Sequence, residues 1–411
     1  MIRPNLGRGV RKATMLALAM LPTLVHARSV SLSEAWNRVR EASPVLAAAV
    51  SGVRSAEAGL EQARLLPNPE LELMTEEYGR SEVEVALTLP LEIGGQRWAR
   101  VRAARAALDI AQLDEVMTRL QLRAETLRRL GSALALKQKI ELSDTLLGLV
   151  RSSTADIARR VNAGAAMELD LVREQTELVS LQVEARGLER SYRAACRALA
   201  ALWADTSDLD WEPVGFFIGR PELPDREVVL AKILGCPEVL CCSKAVEAAR
   251  AELAGARAKG FPEVALTGGY LRNNEAREGA VRLGASMSLP IFNRNQGAIR
   301  AARHALAGAE HAAVQARLAR EVKADLVLAE LAGLFEVVDT GHAVILPAQR
   351  RVLSTLTRHY ELGAIGILEL IEVQREFHET SMDLIDAQGE WTSLAADLLE
   401  ATSYELAVIK E

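Results

Sequence analysis

Aromatic residues are scarce in this chain, 4% of 411 residues, although 49% are hydrophobic. A chain rich in Ala, Leu, Arg and Glu but poor in aromatics reads as long helices rather than bulky cores. Cysteine is scarce too. Cys196, Cys236, Cys241 and Cys242 lack the Cys-x-x-Cys pairs that a thiolate metal site needs. The last three fall at small-residue helix positions and read as small buried side chains. His304 and His311 lie seven apart on one helical face with no third ligand nearby, so no metal site is expected. No Gly-rich phosphate loop, nucleophile elbow or His-Glu-x-x-His is present. That argues against an enzyme and against a bound cofactor. Nothing after residue 27 is an uninterrupted apolar stretch of spanning length, so no transmembrane helix is expected.

What is present begins with an export pattern. Arg3, Arg8, Arg11 and Lys12 precede the apolar stretch Ala13–Val25, and Val25–Ala27 offers small residues at the usual cleavage spacing. Residues 1–27 are therefore predicted to be a signal peptide. Removing those four positive charges takes the formal net charge from −6 to −10, which argues against nucleic acid as a partner. No Cys directly follows the cleavage site, so no lipid attachment point is expected there.

The rest of the chain is written twice. Pro44 aligns with Pro237 and Pro69 with Pro262, both at an offset of 193. Pro90 aligns with Pro290, and "VNAGAAMELDLV" from Val161 aligns with "YELGAIGILELI" from Tyr360, at offsets of 200 and 199. Each unit reads as helix, hairpin, long helix, tight turn, return helix. The first covers 28–231, with a hairpin at 70–90, a long helix at 95–162, a return helix at 166–202 and a linker. The second covers 232–411, with a hairpin at 263–290, a long helix at 295–361 and a return helix at 365–411. Pro347 lies inside the second long helix and should kink or break it.

Both hairpins alternate. Leu71 and Leu73, then Val83, Val85, Leu87 and Leu89, share one face, opposite Glu70, Glu72, Glu82 and Glu84. Val264, Leu266 and Tyr270 share a face in the second copy, as do Val281, Leu283, Ala285, Met287 and Leu289. Strands of about 10 residues suit a tilted membrane crossing. Four per chain cannot close a barrel, and lipid tolerates no open edge, so several chains would share one. Pro90 and Pro290 would end the pairing ladder where a strand bends into a helix, and Gly94 and Gly95 would supply a tight backbone path into the first.

Taken together, this ordered repeat and the two Gly-centred turns, "RVNAGAAMELDLVREQTEL" and "HYELGAIGILELIEVQREF", resemble the TolC family of outer-membrane efflux ducts. The segment "LPLEIGGQRWARVRAA" is similar to the cobalt-zinc-cadmium (CzcC-like) branch, with Gln96 standing ahead of the basic Arg97. The resemblance implies a mainly α fold with membrane β. Four strands per chain would enter a shared 12-stranded barrel, and long helices would build a coiled-coil-like tube. It implies a homotrimer in outer-membrane lipid that extends into the periplasm. A mixed belt would form from residues near 203–232 and the C-terminal stretch. The partners would be a periplasmic adaptor and an inner-membrane pump of the resistance-nodulation-division type.

The resemblance also implies site roles. Gly164, Ala165, Gly363 and Ala364 would be the adaptor-docking tips. Glu369 and Glu372, three apart on one helical face, would ring the periplasmic gate, with Asp170 at the matching place in the first copy. Carboxylate rings suit a cation-passing constriction. Ile365 stands at the family's gate-locking Arg position, and Arg173 is the candidate substitute. Glu70, Glu72, Glu82 and Glu84 would face the barrel lumen. The expected function is passive export of divalent heavy-metal cations of the cobalt, zinc, cadmium and nickel class. The alternatives are a duct for drugs or organic solutes, and a soluble periplasmic adaptor or scaffold.

Overall fold

The computed structural model describes residues 28–76, 82–205, 211–217, 223–274 and 276–410. Residues 1–27, read above as a signal peptide, lie outside them. The described chain starts with β1 (Arg28–Val30), α1 (Leu32–Ala42) and α2 (Pro44–Arg64). A hairpin of β2 (Glu70–Glu76) and β3 (Glu82–Leu91) leads into α3 (Gln96–Asn162), and α4 (Glu168–Ala200) returns. Then come β4 (Trp211–Pro213), β5 (Phe216–Phe217) and α5 (Arg226–Ile233). The order recurs with α6 (Pro237–Ala258), the hairpin β6 (Val264–Asn273) and β7 (Glu278–Met287), and α7 (Gln296–Thr340). α8 (Leu346–Glu361) continues α7, α9 (Ile367–Thr402) returns, and β8 (Ile409–Lys410) follows.

The helix α3 has 67 residues and is about 100 Å long at 1.5 Å per residue. It contains no Pro and is built from Ala, Leu, Arg and Glu, all strong helix formers. Its partner stretch is not one regular helix, as the sequence suggested. Gly341–Ile345 forms a π-helical turn between α7 and α8. Pro347 has no N–H to give the carbonyl of Ala343, and its ring crowds that carbonyl. A widened turn just upstream absorbs the misfit. It also brings the backbone of Gly341 against α9, where a Cβ would stand 2.1 Å from Leu384 Cδ2.

The stretch Gln296–Glu361 is unusually apolar for a long exposed helix. It holds an 18-residue window with mean hydropathy 1.3, apolar and long enough to cross a membrane by length and composition alone. Mean hydropathy tolerates isolated charges that a search for uninterrupted apolar runs does not. Only 17% of that window is buried. On α7, Val314, Leu318, Val322 and Leu326 form an exposed stripe at four-residue spacing, the pattern of an amphipathic helix that lacks its neighbour.

The scarce aromatics are spent in the middle of the tube. Trp203, Trp211 and Trp391 are buried there with Leu130, Leu199, Leu331 and Leu398, joined by Val229 and Ile233 of α5. Short pairings close this belt: β1 runs parallel to β4, and β5 antiparallel to β8. The predicted return helix to residue 411 therefore stops early. Ser403 takes φ +59° after α9 and turns the chain back, so that Ile409 meets Phe217.

The two hairpins join in one sheet of order β2-β3-β6-β7, leaving β2 and β7 as open edges. Directly opposed residues share a face. Leu71 faces Leu87, Leu73 faces Val85, Leu89 faces Leu266 and Tyr270 faces Val281, making one apolar face. Glu70 faces Thr88, Glu72 faces Ala86, Glu84 faces Leu271 and Gly269 faces Arg282 on the other. The apolar face is uncovered: Leu73, Val281 and Leu283 are 67%, 76% and 85% exposed.

Pro90 does not end the ladder, contrary to the sequence reading. It sits inside β3 opposite Ala265, and pairing continues to Leu91. β2 begins at Glu70, opposite Thr88, so beyond Thr88 that edge of β3 has no neighbour and a missing N–H breaks no ladder bond. Pro290, in contrast, lies past the end of β7 at Met287. The device the two junctions share is a left-handed residue just before the long helix: Gly95 at φ +82° and Asn295 at φ +58°, each followed by Gln. Asn is among the few residues other than Gly that visit this region readily. We therefore expect Gly95→Val to lower stability by at least about 1 kcal/mol, while Asn295→Gly stays near neutral, as read from thermal midpoints in detergent. Gly94 is constrained differently, since a Cβ there would fall 2.7 Å from Phe261 Cβ.

Candidate functional site

The far end of the tube is built by two hairpins of the same design. In the first, the N–H of Gly164 donates to Val161 O (2.9 Å) and that of Ala165 to Arg160 O (2.8 Å). In the second, Gly363 donates to Tyr360 O (2.9 Å) and Ala364 to His359 O (2.9 Å). Gly164 and Gly363 take φ +72° and +73°. This paired pattern satisfies the last carbonyls of a helix and needs a left-handed residue, which is why Gly stands at both turns. Gly164, Ala165, Gly363 and Ala364 are all exposed.

Beneath the tips lies a small apolar cluster of Ile157, Tyr360, Ile367, Leu370 and Ile371, with Ile365 packed against it. It sets the orientation of α9. With Ile367, Leu370, Ile371 and Gln374 turned inward, the helical period turns Glu369 and Glu372 outward together. Both are exposed. Asp170 is half-buried in the first turn of α4. Arg173 makes no ion pair with either glutamate among the described residues. Instead, α4 and α9 are joined by Arg375 to Glu177, at 3.5 Å, and farther along by His378 to Glu184.

Several groups that the sequence did not single out gather here. Glu174 of α4 is fully buried and hydrogen-bonded by Ser153 of α3, while its Oε2 has no partner. Burial pushes its carboxyl up, the Ser153 bond pulls it down, and Glu177 adds to the rise; the net is above the usual range. The Arg160 guanidinium lies 4.9 Å from the ring centre of Tyr360. Burial is also the main reason that the Tyr360 phenol is pushed up. Farther along, a groove of about 500 Å³ between α4 and α9 is lined by Glu177, Glu184, Arg375, His378, Glu379 and Asp383. His378 is buried, with Nε2 3.5 Å from Glu184. A solvated acidic helix face and a groove beside it look alike in a one-dimensional pattern.

On the sheet, Glu70, Glu72, Glu82 and Glu84 share the polar face. That face is not purely acidic: Arg282 pairs with Glu84 at 2.8 Å, and Asn273 donates to Glu82 at 3.0 Å. No group of three or more His, Cys, Asp or Glu among the described residues is placed to hold a metal ion. Cys236 is buried, but Cys241 and Cys242 are only half-buried, against expectation. Burial, with Asp114 beside it, pushes the Cys241 thiol up to about 11.

Comparison with known proteins gives this geometry its setting. The family model "Outer membrane efflux protein" matches residues 35–205 and again 236–403. The cobalt-zinc-cadmium resistance protein CzcC of Cupriavidus metallidurans is 25% identical over 347 residues, 84% of this chain and 83% of that protein. The nickel-cobalt-cadmium resistance protein NccC of Alcaligenes xylosoxydans xylosoxydans is 24% identical over 65% of this chain and 62% of its own. Among solved structures, CusC superposes with a TM-score of 0.77 at 18% identity, covering 90% of this chain and 91% of its own. The outer membrane protein VceC of Vibrio cholerae gives 0.75 at 17%, covering 91% and 96%. The family match sets aside the soluble-scaffold alternative, and the solved structures share the fold of a bare four-stranded sheet on long helices. Such channels work with periplasmic adaptors and inner-membrane pumps. With two matches that together span most of its length, the chain belongs to the outer membrane efflux protein family and is an efflux channel of the outer membrane that extends into the periplasm.

Proposed function

We propose that three copies of this chain form a passive exit duct for divalent heavy-metal cations of the cobalt, zinc, cadmium and nickel class, coupled to a resistance-nodulation-division pump. The observation that carries the cargo is the match along 84% of the chain to a relative named for cobalt, zinc and cadmium resistance. Threefold assembly is supported by the open β2 and β7 edges. Three sheets of four strands close a 12-stranded barrel and leave no edge in lipid. The apolar face then meets lipid, and Glu70, Glu72, Glu82 and Glu84 line the lumen. The junction of Pro90, Gly94, Gly95 and Pro290 carries barrel into tube.

In this reading the tips Gly164, Ala165, Gly363 and Ala364 seat the adaptor. Asp170, Glu369 and Glu372 gather at the periplasmic gate, where a threefold axis would turn the two glutamates into two carboxylate rings. The rings attract cations and repel one another. We expect Glu369→Ala with Glu372→Ala to raise single-channel conductance in planar bilayers and to weaken block by multivalent cations. Unchanged conductance and block would remove both residues from the constriction.

The cargo is tested by deleting the gene and comparing tolerance to zinc, cobalt, nickel and cadmium with tolerance to dyes and antibiotics. Loss of metal tolerance alone is the expected result. Loss of dye or antibiotic tolerance with unchanged metal tolerance would assign the duct to organic solutes.

A further inference from the structure

We propose that the junction between sheet and tube is a docking collar for anionic phospholipid headgroups. The sheet lies in the outer membrane and its apolar face is bare. At the tube end of that face the exposed apolar surface continues off the strands onto the loops, through Ile93, Trp98, Phe261, Ile291 and Phe292, the last 91% exposed. The two loops form one surface. Gly94 abuts Phe261, and a Cβ on Gly260 would stand 2.9 Å from the carbonyl of Arg294.

Directly below this apolar belt the charge changes. Over residues 92–105, 257–263 and 291–303 there are nine basic side chains and two acidic ones, Glu92 and Glu263, in a chain whose net charge is −6. Arg100 is taken by Glu92 at 2.5 Å. Arg102, Arg105, Lys259, Arg294, Arg300 and Arg303 are exposed and make no ion pair among the described residues. Arg102 lies over the ring of Trp98, 4.5 Å from its centre, and Trp98 is itself 58% exposed. An aromatic ring with a cation folded over it, between an apolar belt and a basic one, matches the boundary between acyl chains and headgroups. Basic side chains at that depth are attracted to anionic lipid. A second copy of this chain is the poorer occupant, because copies that close a barrel meet along the β2 and β7 edges and leave the apolar face outward. A soluble phosphate would leave the apolar belt unexplained.

The test uses the purified full chain, delipidated in detergent and incubated with dioleoylphosphatidylglycerol or dioleoylphosphatidylethanolamine, with bound lipid counted by native mass spectrometry. The wild type is expected to retain phosphatidylglycerol over phosphatidylethanolamine by about tenfold. The variant carrying Arg102→Gln, Arg105→Gln, Arg300→Gln and Arg303→Gln is expected to lose that preference with unchanged circular dichroism and oligomeric state. Equal retention of the two lipids by the wild type, or an unchanged preference in the variant, overturns the proposal. Trp98→Ser with Phe292→Ser is expected to lower retention of both lipids. Dissociation of the assembly in that variant would instead make the belt a subunit contact and overturn it too. None of these results depends on the cargo of the duct.

Discussion

Replacing Arg128 by Met is expected to destabilise the folded chain by about 2 kcal/mol at pH 7, and the deficit should shrink on acidification. Arg128 sits on α3 beside the central core and reaches three carboxylates: Glu125 on its own helix at 2.8 Å, and Asp397 at 2.8 Å and Glu400 at 2.7 Å on α9. Its side chain is 25% exposed, so solvent screens part of the interaction but not most of it. Burial works against the guanidinium charge. The hydrogen bonds to Glu400, Asp397 and Glu125 outweigh that and hold it protonated. Burial likewise pushes Glu125 up, but its bonds from Arg129 and Arg128 leave it below the usual carboxylate range. A carboxyl with a lowered folded pKa contributes stability above its unfolded value, about 4.3, and loses it as the pH falls through the lowered one. Met keeps the apolar stem and leaves three carboxylates facing one another. Glu125 gives up its charge only below the unfolded value, so the deficit should hold from pH 7 to about pH 5 and shrink as the pH falls from about 4.3 toward about 2. Thermal midpoints in detergent across that range are the measurement. A deficit that does not change with pH would mean that Arg128 acts through packing alone.

The general form was legible because it is carried by patterns that survive in one dimension. The alternation from Val83 to Leu89 assigns every residue of β3 to a face, and register pairing with β2 and β6 preserves that assignment. Two Gly turns spaced 199 apart announce two hairpins of equal length. What the sequence hid depends on neighbours in space. Pro90 looked like a ladder stop, yet it is harmless because β2 has already ended on that edge. Asn295 performs the task of Gly95 without looking like it, since only its backbone angle shows the equivalence. The pairing of β5 with β8 involves two residues from each strand, separated by nearly 200 positions, too short a signal to rise above a helical reading of the C-terminal stretch.

The candidate site divides along the same line. The outward position of Glu369 and Glu372 follows from the helical period once Ile367, Leu370 and Ile371 are taken as the inner face. Glu174 could not be found that way. A carboxylate in a helix reads as solvated by default, and Glu177 and Glu184 on the same helix are partly or largely exposed. Depth at Glu174 is set by α3, on which Ser153 supplies the one bond that makes a buried acid tolerable. The internal repeat held a usable signal. The residues 199 positions beyond Ser153 and Glu174 are Val352, which is exposed, and the half-buried Val373, so the second hairpin has no buried carboxyl at the matching position.

That comparison yields the second large effect. Replacing both Ser153 and Glu174 by Val is expected to stabilise the first hairpin by about 1–3 kcal/mol at pH 7.5, whereas Ser153→Ala alone should destabilise it by about 1–2 kcal/mol. The double change removes a buried carboxyl with an unpartnered oxygen. The single change removes its only hydrogen bond. The pH dependence runs opposite to that of Arg128. The folded-state pKa of Glu174 is raised, so the folded chain holds a proton that the unfolded chain releases. Stability is therefore unaffected below the unfolded value near 4.3 and falls as the pH rises from there through the raised one. The groups around Glu174 do not cancel this. Glu177 favours the neutral form, and Tyr360 is buried with its own proton held. Arg160 lies over the Tyr360 ring. The gap between wild type and double variant should widen as the pH rises from about 4.3 and level off once Glu174 has ionised in the folded chain, read as thermal midpoint and as amide exchange in residues 155–175. A constant gap would mean that only packing distinguishes the pair. A widening one makes the α3–α4 tip, and not the α8–α9 tip with no carboxyl at the matching position, the hairpin that loosens as its buried acid ionises.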